Sequence, residues 1–208
     1  NLRATFDTII LPSDDAKAIL DGHAPGAMPA EYVGGIGPEG AAALEAFVQA
    51  GGTLVAIDEA AEFAMKALGP PVRNVLAGLR NTDFYCPGSL LRLEIDQSAA
   101  LTAGLPAEQA AFFVNGRAFA VEPAGADRVR VLARYARTDV LMSGWITGAS
   151  HIAGQAAVVE VALGKGRIVL TGFGPQFRGQ PHGTFKFLFN PILASASDGA
   201  EAEASGGN

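Results

Sequence analysis

Short apolar runs alternate with amphipathic runs through the first third of the chain. The runs FDTIILP (residues 6–12) and TLVAID (residues 53–58) are apolar and β-prone, which is typical of strands buried on both faces. Residues 38–52, with Pro in the first turn and a Gly pair at the end, predict a helix between them. The run EAAEFAMKALG (residues 59–69) then has the apolar spacing of an amphipathic helix. This strand-helix-strand-helix order predicts an α/β fold with a parallel sheet covered by helices.

The second half of the chain predicts more strands and one final helix. Strand-like runs recur at residues 90–95, 111–121 and 129–136. Two β-branched runs joined by GKG at residues 164–166 predict an antiparallel hairpin. The amphipathic run GTFKFLFNPIL predicts a last helix, and residues 194–208 contain no large apolar side chain. The pattern therefore predicts one domain over residues 1–193 and a disordered tail over 194–208.

Composition narrows the class of protein. Apolar residues make up 49% of the chain and charged residues 17%, which is a globular composition. The net charge of -6 offers no basic field for nucleic acid, and no apolar run approaches the roughly 20 residues that span a membrane. A single cysteine, Cys86, excludes an intrachain disulfide. Because the chain opens without Met and runs at once into a strand, we expect it to be a segment of a longer polypeptide.

Several blocks of sequence, among them FDTIILP, FYCPGSLLR and PQFRGQPHGTFK, resemble a known family. The resemblance is to the C-terminal class I glutamine amidotransferase-like domain of bacterial zinc carboxypeptidase-like proteins. It implies a flavodoxin-like three-layer sandwich, with a mostly parallel sheet plus an antiparallel hairpin and with the first strand and helix lying before Asn1. It also implies an upstream peptidase domain as partner and a periplasmic or secreted location.

The residues that a zinc peptidase or a class I glutaminase needs for catalysis are missing from the segment. None of His23, His151 and His182 has a Glu three positions later, so no zinc site is predicted. A class I glutaminase needs a Cys on the turn after the second strand, and that turn holds Asp58 and Glu59 instead. The sequence thus predicts no catalytic residue, no metal and no cofactor.

Candidate binding residues gather at one predicted edge of the sheet. Asp58 and Glu59 follow the second strand, and Gln176, Arg178 and His182 lie in the loop after a later strand whose carboxyl end should reach the same edge. The two acids could cap the next helix or take part in acid-base chemistry. An ion pair from Arg178 to either acid would lock the loop. A ligand rim and a catalytic site remain open alternatives.

A sixth candidate stands apart from this edge. Trp145, flanked by a glycine in SGWITG, predicts an exposed aromatic surface.

Three functions follow as expectations. The first is a non-catalytic amidotransferase-like accessory domain of a zinc carboxypeptidase-like protein that scaffolds it, binds a peptide or glycan, or forms a homo-oligomer. The second is a hydrolase or transferase with a crevice formed by Asp58, Glu59 and His182. The third is a carbohydrate-binding module.

Overall fold

Three parallel strands form one half of the sheet in the computed structural model, which describes residues 1–206 and the side chains of residues 1–197. They are β1 (Thr8–Leu11), β2 (Thr53–Ile57) and β10 (Gly166–Thr171). β2 lies between the other two and pairs in parallel with both, and all five of its residues are buried. The strongest apolar run of the sequence is therefore the central strand of the parallel half.

Helices cover both faces of this half. α1 (Ala16–Asp21), α2 (Gly37–Gln49) and α3 (Ala60–Leu68) pack together on one face, and α4 (Lys186–Gly206) packs against β1 and β2. Alternate residues of β2 enter two separate cores: Leu54 and Ala56 pack with α2 and α3, whereas Val55 and Ile57 pack with Phe187 of α4. This alternation follows from the two-residue period of a strand.

The other half of the sheet is antiparallel. It is built from β3 (Val72–Asn74), β4 (Ser89–Ile95), β5 (Glu108–Phe113), β6 (Phe119–Val121), β7 (Val129–Tyr135), β8 (Leu141–Ser143) and β9 (Ala156–Leu163). The main path through the sheet runs β1-β2-β10-β9-β7-β4-β5. The predicted hairpin joins β9 to β10 in antiparallel register. No α-helix lies between β3 and β10 among the described residues, so the connections there favour antiparallel pairing.

The predicted fold class, a flavodoxin-like α/β sandwich, is confirmed. The antiparallel part extends beyond the single hairpin of the sequence prediction, because short loops rather than crossover helices connect β4 to β9.

The last helix differs from its predicted length. α4 continues past the predicted boundary at residue 193 to Gly206, since Ala, Ser and Glu are compatible with a helix. Ser195 is buried and its hydroxyl donates to the carbonyl of Asp7 at 2.6 Å, which ties this part of the predicted tail to the start of the domain. Residues 207 and 208 of that tail lie outside the described residues.

Candidate functional site

Asp58 and Glu59 form the turn between β2 and α3. Asp58 has a φ of 51°, in the left-handed region that costs a non-glycine residue about 1 kcal/mol or more. Its N–H donates to the carbonyl of Thr171, the last residue of β10, at 2.9 Å. The turn therefore places both carboxylates at the carboxyl ends of β2 and β10, where open α/β sheets bind their ligands.

Arg117 is the cation that pairs with this turn. Its Nη1 donates to Asp58 Oδ1 at 2.9 Å, and its Nη2 donates to Glu59 Oε1 at 3.4 Å. Glu62 Oε1 lies 4.0 Å from Arg117 Nε. The Arg117 side chain is 15% exposed, so one largely buried guanidinium lies within 4.0 Å of three carboxylates.

Backbone contacts hold Arg117 in place. Its N–H donates to the carbonyl of Gly172 at 2.6 Å, and the hydroxyl of Tyr135 donates to the Arg117 carbonyl at 2.8 Å. A Cβ at Gly172 would lie 2.1 Å from the Arg117 carbonyl oxygen, so this approach requires glycine. Sequence reasoning missed Arg117, although the Asn115-Gly116 turn directly before it was a signal that the chain bends there.

Burial raises the pKa of Asp58 from its ordinary 3.8 to about 6, although the neighbouring Arg117 charge and hydrogen bond oppose the change. Asp58 Oδ2 accepts only a long hydrogen bond, from the Ser13 hydroxyl at 3.3 Å. The carboxyl group is therefore incompletely solvated and has acceptor capacity left on Oδ2.

A cavity of about 580 Å³ opens beside the Asp58 turn. Two acids, two amides, one base and two aromatic rings contribute to its wall: Asp58, Glu59, Asn115, Gln176, Arg178, Phe112 and Phe177. The two phenylalanine rings are in contact, with centroids 4.9 Å apart. An adjoining cavity of about 400 Å³ shares Glu59 and Asn115 with it and has Arg117 in its wall.

Strained backbone is concentrated in the wall of the larger cavity. Four described residues other than glycine have a positive φ: Asp58, Asn115, Asp139 and Arg178. All of them except Asp139 border this cavity. Left-handed residues of this kind persist where the surrounding structure enforces them, and they cluster at functional sites.

Gln176 borders the same cavity, but its Oε1 is buried behind the wall and has no hydrogen-bond partner. A buried acceptor left unpaired costs about 1–3 kcal/mol. Because this oxygen has almost no accessible surface, it is not offered to a ligand in the cavity.

The structure brings four of the six predicted binding residues together. Asp58, Glu59, Gln176 and Arg178 border the larger cavity. The predicted ion pair from Arg178 to an acid is wrong: Arg178 is exposed and lies over the Phe177 ring, 5.3 Å from its centroid, and Arg117 takes the acids instead. The reason is that Arg117 lies on a loop bonded to the end of β10, a long-range contact without a local sequence signal.

His182 and Trp145 lie outside the cavity wall. His182 is exposed and packs on Phe185 with ring centroids 5.1 Å apart, so the crevice predicted from Asp58, Glu59 and His182 is not formed. Trp145 is 65% exposed, and its Nε1 donates to the Thr147 hydroxyl at 3.2 Å. Their roles in binding stay predictions.

Cys86 borders the adjoining cavity, but it is almost completely buried, with 1% of its surface exposed. Burial raises the pKa of its thiol, which keeps it protonated at neutral pH. Among the side chains described, those of residues 1–197, no His, Cys, Asp and Glu residues form a group suited to a metal ion. None of the helices within residues 1–206 combines the length and the hydropathy of a membrane span.

Comparisons with known proteins identify one matching family model and several structures with a similar fold. A family model described as biotin-protein ligase, N terminal, matches residues 88–186, slightly less than half of the chain. A GMP synthase subunit-like protein from Thermoplasma acidophilum is similar over 96% of this chain and 77% of its own, with 14% identity and a TM-score of 0.56. Two cytoplasmic proteins from Salmonella typhimurium are similar over 92% of this chain and 72% of theirs, at 14% identity and TM-scores of 0.55 and 0.56. No curated protein matches the chain.

These comparisons correct the family expected from the sequence. The matched family is the biotin-protein ligase N-terminal domain, and the similar structures include the GMP synthase subunit-like protein rather than a zinc carboxypeptidase C-terminal domain. The predicted accessory role in a zinc carboxypeptidase-like protein is therefore wrong. The block PQFRGQPHGTFK (residues 175–186), on which the expected parent partly rested, lies within the residues that match the biotin-protein ligase family model.

Proposed function

We propose that this chain is a small-molecule-binding domain with an amidotransferase-like fold, and that its ligand occupies the 580 Å³ cavity beside Asp58. The observation that carries the proposal is the clustering of strained residues: Asp58, Asn115 and Arg178 all border one cavity at the carboxyl ends of β2 and β10. The volume lies within the roughly 300–1,000 Å³ of small-molecule sites.

The wall has the composition that a ligand site needs. Ile57, Val114 and the contacting pair Phe112 and Phe177 supply apolar surface, while Asp58 and Glu59 supply acceptors. A mostly apolar wall provides contact area, and a few placed polar groups fix the orientation of the ligand.

The similar GMP synthase subunit-like protein supports the fold, and ligands of open α/β sheets bind at this end of the sheet, but neither points to a particular reaction. At the turn after β2 the chain presents a carboxylate bonded to Arg117, not a thiol. Binding is the function that this arrangement favours, because a paired and buried carboxylate holds a ligand without being a strong nucleophile.

The test is ligand mapping by NMR on the isotope-labelled chain with a chemically diverse set of small fragments. We expect hits to shift the amide signals of residues that border the cavity, including Asn115 and Gly174. Val114→Phe should fill the cavity and abolish these shifts, whereas the matched Val33→Phe, at a position outside the cavity, should preserve them. Hits that map elsewhere, or that bind Val114→Phe unchanged, would refute the proposal.

A further inference from the structure

Two carboxylates border the 580 Å³ cavity. Asp58 Oδ2 holds a single long hydrogen bond, from the Ser13 hydroxyl. Glu59, which is 47% exposed, adds a second carboxylate at the edge. A ligand group that brings an N–H or O–H donor to Asp58 Oδ2 therefore gains a hydrogen bond there.

The charges around the cavity favour a cation over an anion. Arg117 is absent from the wall of this cavity, and its Nη1 and Nη2 are already bonded to Asp58 and Glu59. Arg178 is the one basic residue in the wall, and it is exposed at the rim, where it stacks on Phe177. The interior therefore presents carboxylates to a ligand, while the positive charge stays in solvent.

Apolar surface lies in the same wall as these acceptors. The Phe112 and Phe177 rings are tilted by 47° with centroids 4.9 Å apart, and Ile57 and Val114 also border the cavity. A flat or aliphatic body would pack there, and an aromatic face also attracts a cation.

We propose that the ligand is a small organic cation, an amine or amidine on an apolar body, whose N–H group binds Asp58 Oδ2 while the body packs on Phe112 and Phe177. This rests on the proposed function, that the cavity is a ligand site, and adds the class of ligand.

Three probes of one shape test the ligand class: benzamidine, a cation; benzamide, its neutral analogue; and benzoate, an anion. Each is titrated by NMR and calorimetry at pH 7.5. We expect benzamidine to bind at the cavity at least tenfold more tightly than either of the others. An equal or reversed order among probes that do map to the cavity would overturn the ligand class and leave the proposed function standing. The absence of cavity shifts with all three probes and with the fragment set would remove both.

Two substitutions test the residue. Asp58→Asn removes the charge of the carboxylate that would bind the cation, and we expect at least fivefold weaker binding of benzamidine with benzamide unaffected. Asp96→Asn is the matched control, at an aspartate outside the cavity wall, and should leave binding unchanged. Equal effects of the two substitutions, or no effect of Asp58→Asn, would contradict the role of Asp58.

Discussion

The raised pKa of Asp58 gives the protein an unusual dependence of stability on pH, which Asp58→Asn isolates. Burial raises the pKa of this carboxyl from 3.8 to about 6 in the folded state, and the side chain is only 16% exposed. One pKa unit corresponds to about 1.4 kcal/mol, so ionisation of the folded protein costs about 3 kcal/mol more than ionisation of the unfolded chain.

The sign follows from the order in which the two states lose the proton. Below about pH 4 Asp58 is protonated in both states and contributes nothing. As the pH rises from about 4 to 6 the unfolded chain releases the proton first, so the free energy of unfolding falls by up to about 3 kcal/mol and stays lower above pH 6. The difference in this free energy, wild type minus Asp58→Asn, should fall by that amount between pH 3.5 and pH 7.5.

Urea unfolding of both proteins across this range measures the difference. Asp96→Asn provides a control of opposite sign, because hydrogen bonds from Ser98 lower the pKa of Asp96 in the folded state. The corresponding difference for Asp96 should therefore rise with pH. A difference for Asp58 that stays constant, or rises like that for Asp96, would refute the argument that burial outweighs the Arg117 contact.

Three further substitutions test how the site is held. Arg117→Met leaves Asp58 buried without its cation, so we expect the free energy of unfolding at pH 7.5 to fall by about 3 kcal/mol. The same change should raise the pKa of Asp58 above 6, as measured by carboxyl NMR titration. An unchanged titration would contradict the ion pair between Arg117 and Asp58. Gly172→Ala places a Cβ against the Arg117 carbonyl and should cost more than about 2 kcal/mol in urea unfolding, so a neutral result would exclude the close approach. Tyr135→Phe leaves that carbonyl without its donor, and we expect a loss of about 1 kcal/mol by the same assay, with no loss arguing against the hydrogen bond.

The parallel half of the fold could be predicted because its signals are local. The continuous apolar run of β2 and the helical periods of α2 and α3 each lie within a short stretch of sequence, and the order of the elements then determines the parallel pairing. The extent of the antiparallel half could not be predicted in the same way. β7 pairs with β9 and also with β4, which depends on long-range register rather than on any one run.

The candidate site was half predictable for a related reason. Asp58 and the loop of Gln176 and Arg178 could be assigned to one edge, because carboxyl ends of parallel strands meet there. Arg117 lies in the loop between β5, the strand at the far end of the sheet path, and β6, which pairs with β9 beside β10. The bond of this loop to Gly172 then holds Arg117 at the edge. A prediction based on neighbouring strand ends therefore chose the wrong arginine as the partner of Asp58.

The proposed ligand would relieve an unfavourable feature of the free protein. The ionised carboxylate of Asp58 is penalised by burial, and its Oδ2 accepts only one long hydrogen bond. Of the charged or titratable groups that act on Asp58, Arg117 favours the ionised form, whereas Glu59 disfavours it and ionised Tyr135 would do so as well. A bound cation would add a second favourable charge and an N–H donor for Asp58 Oδ2. Binding should therefore strengthen as the pH rises through about 6, by up to about tenfold per pH unit below that value, and benzamidine should stabilise the chain against heat more at pH 7.5 than at pH 5. Equal stabilisation at the two pH values would mean that the cation does not bind ionised Asp58.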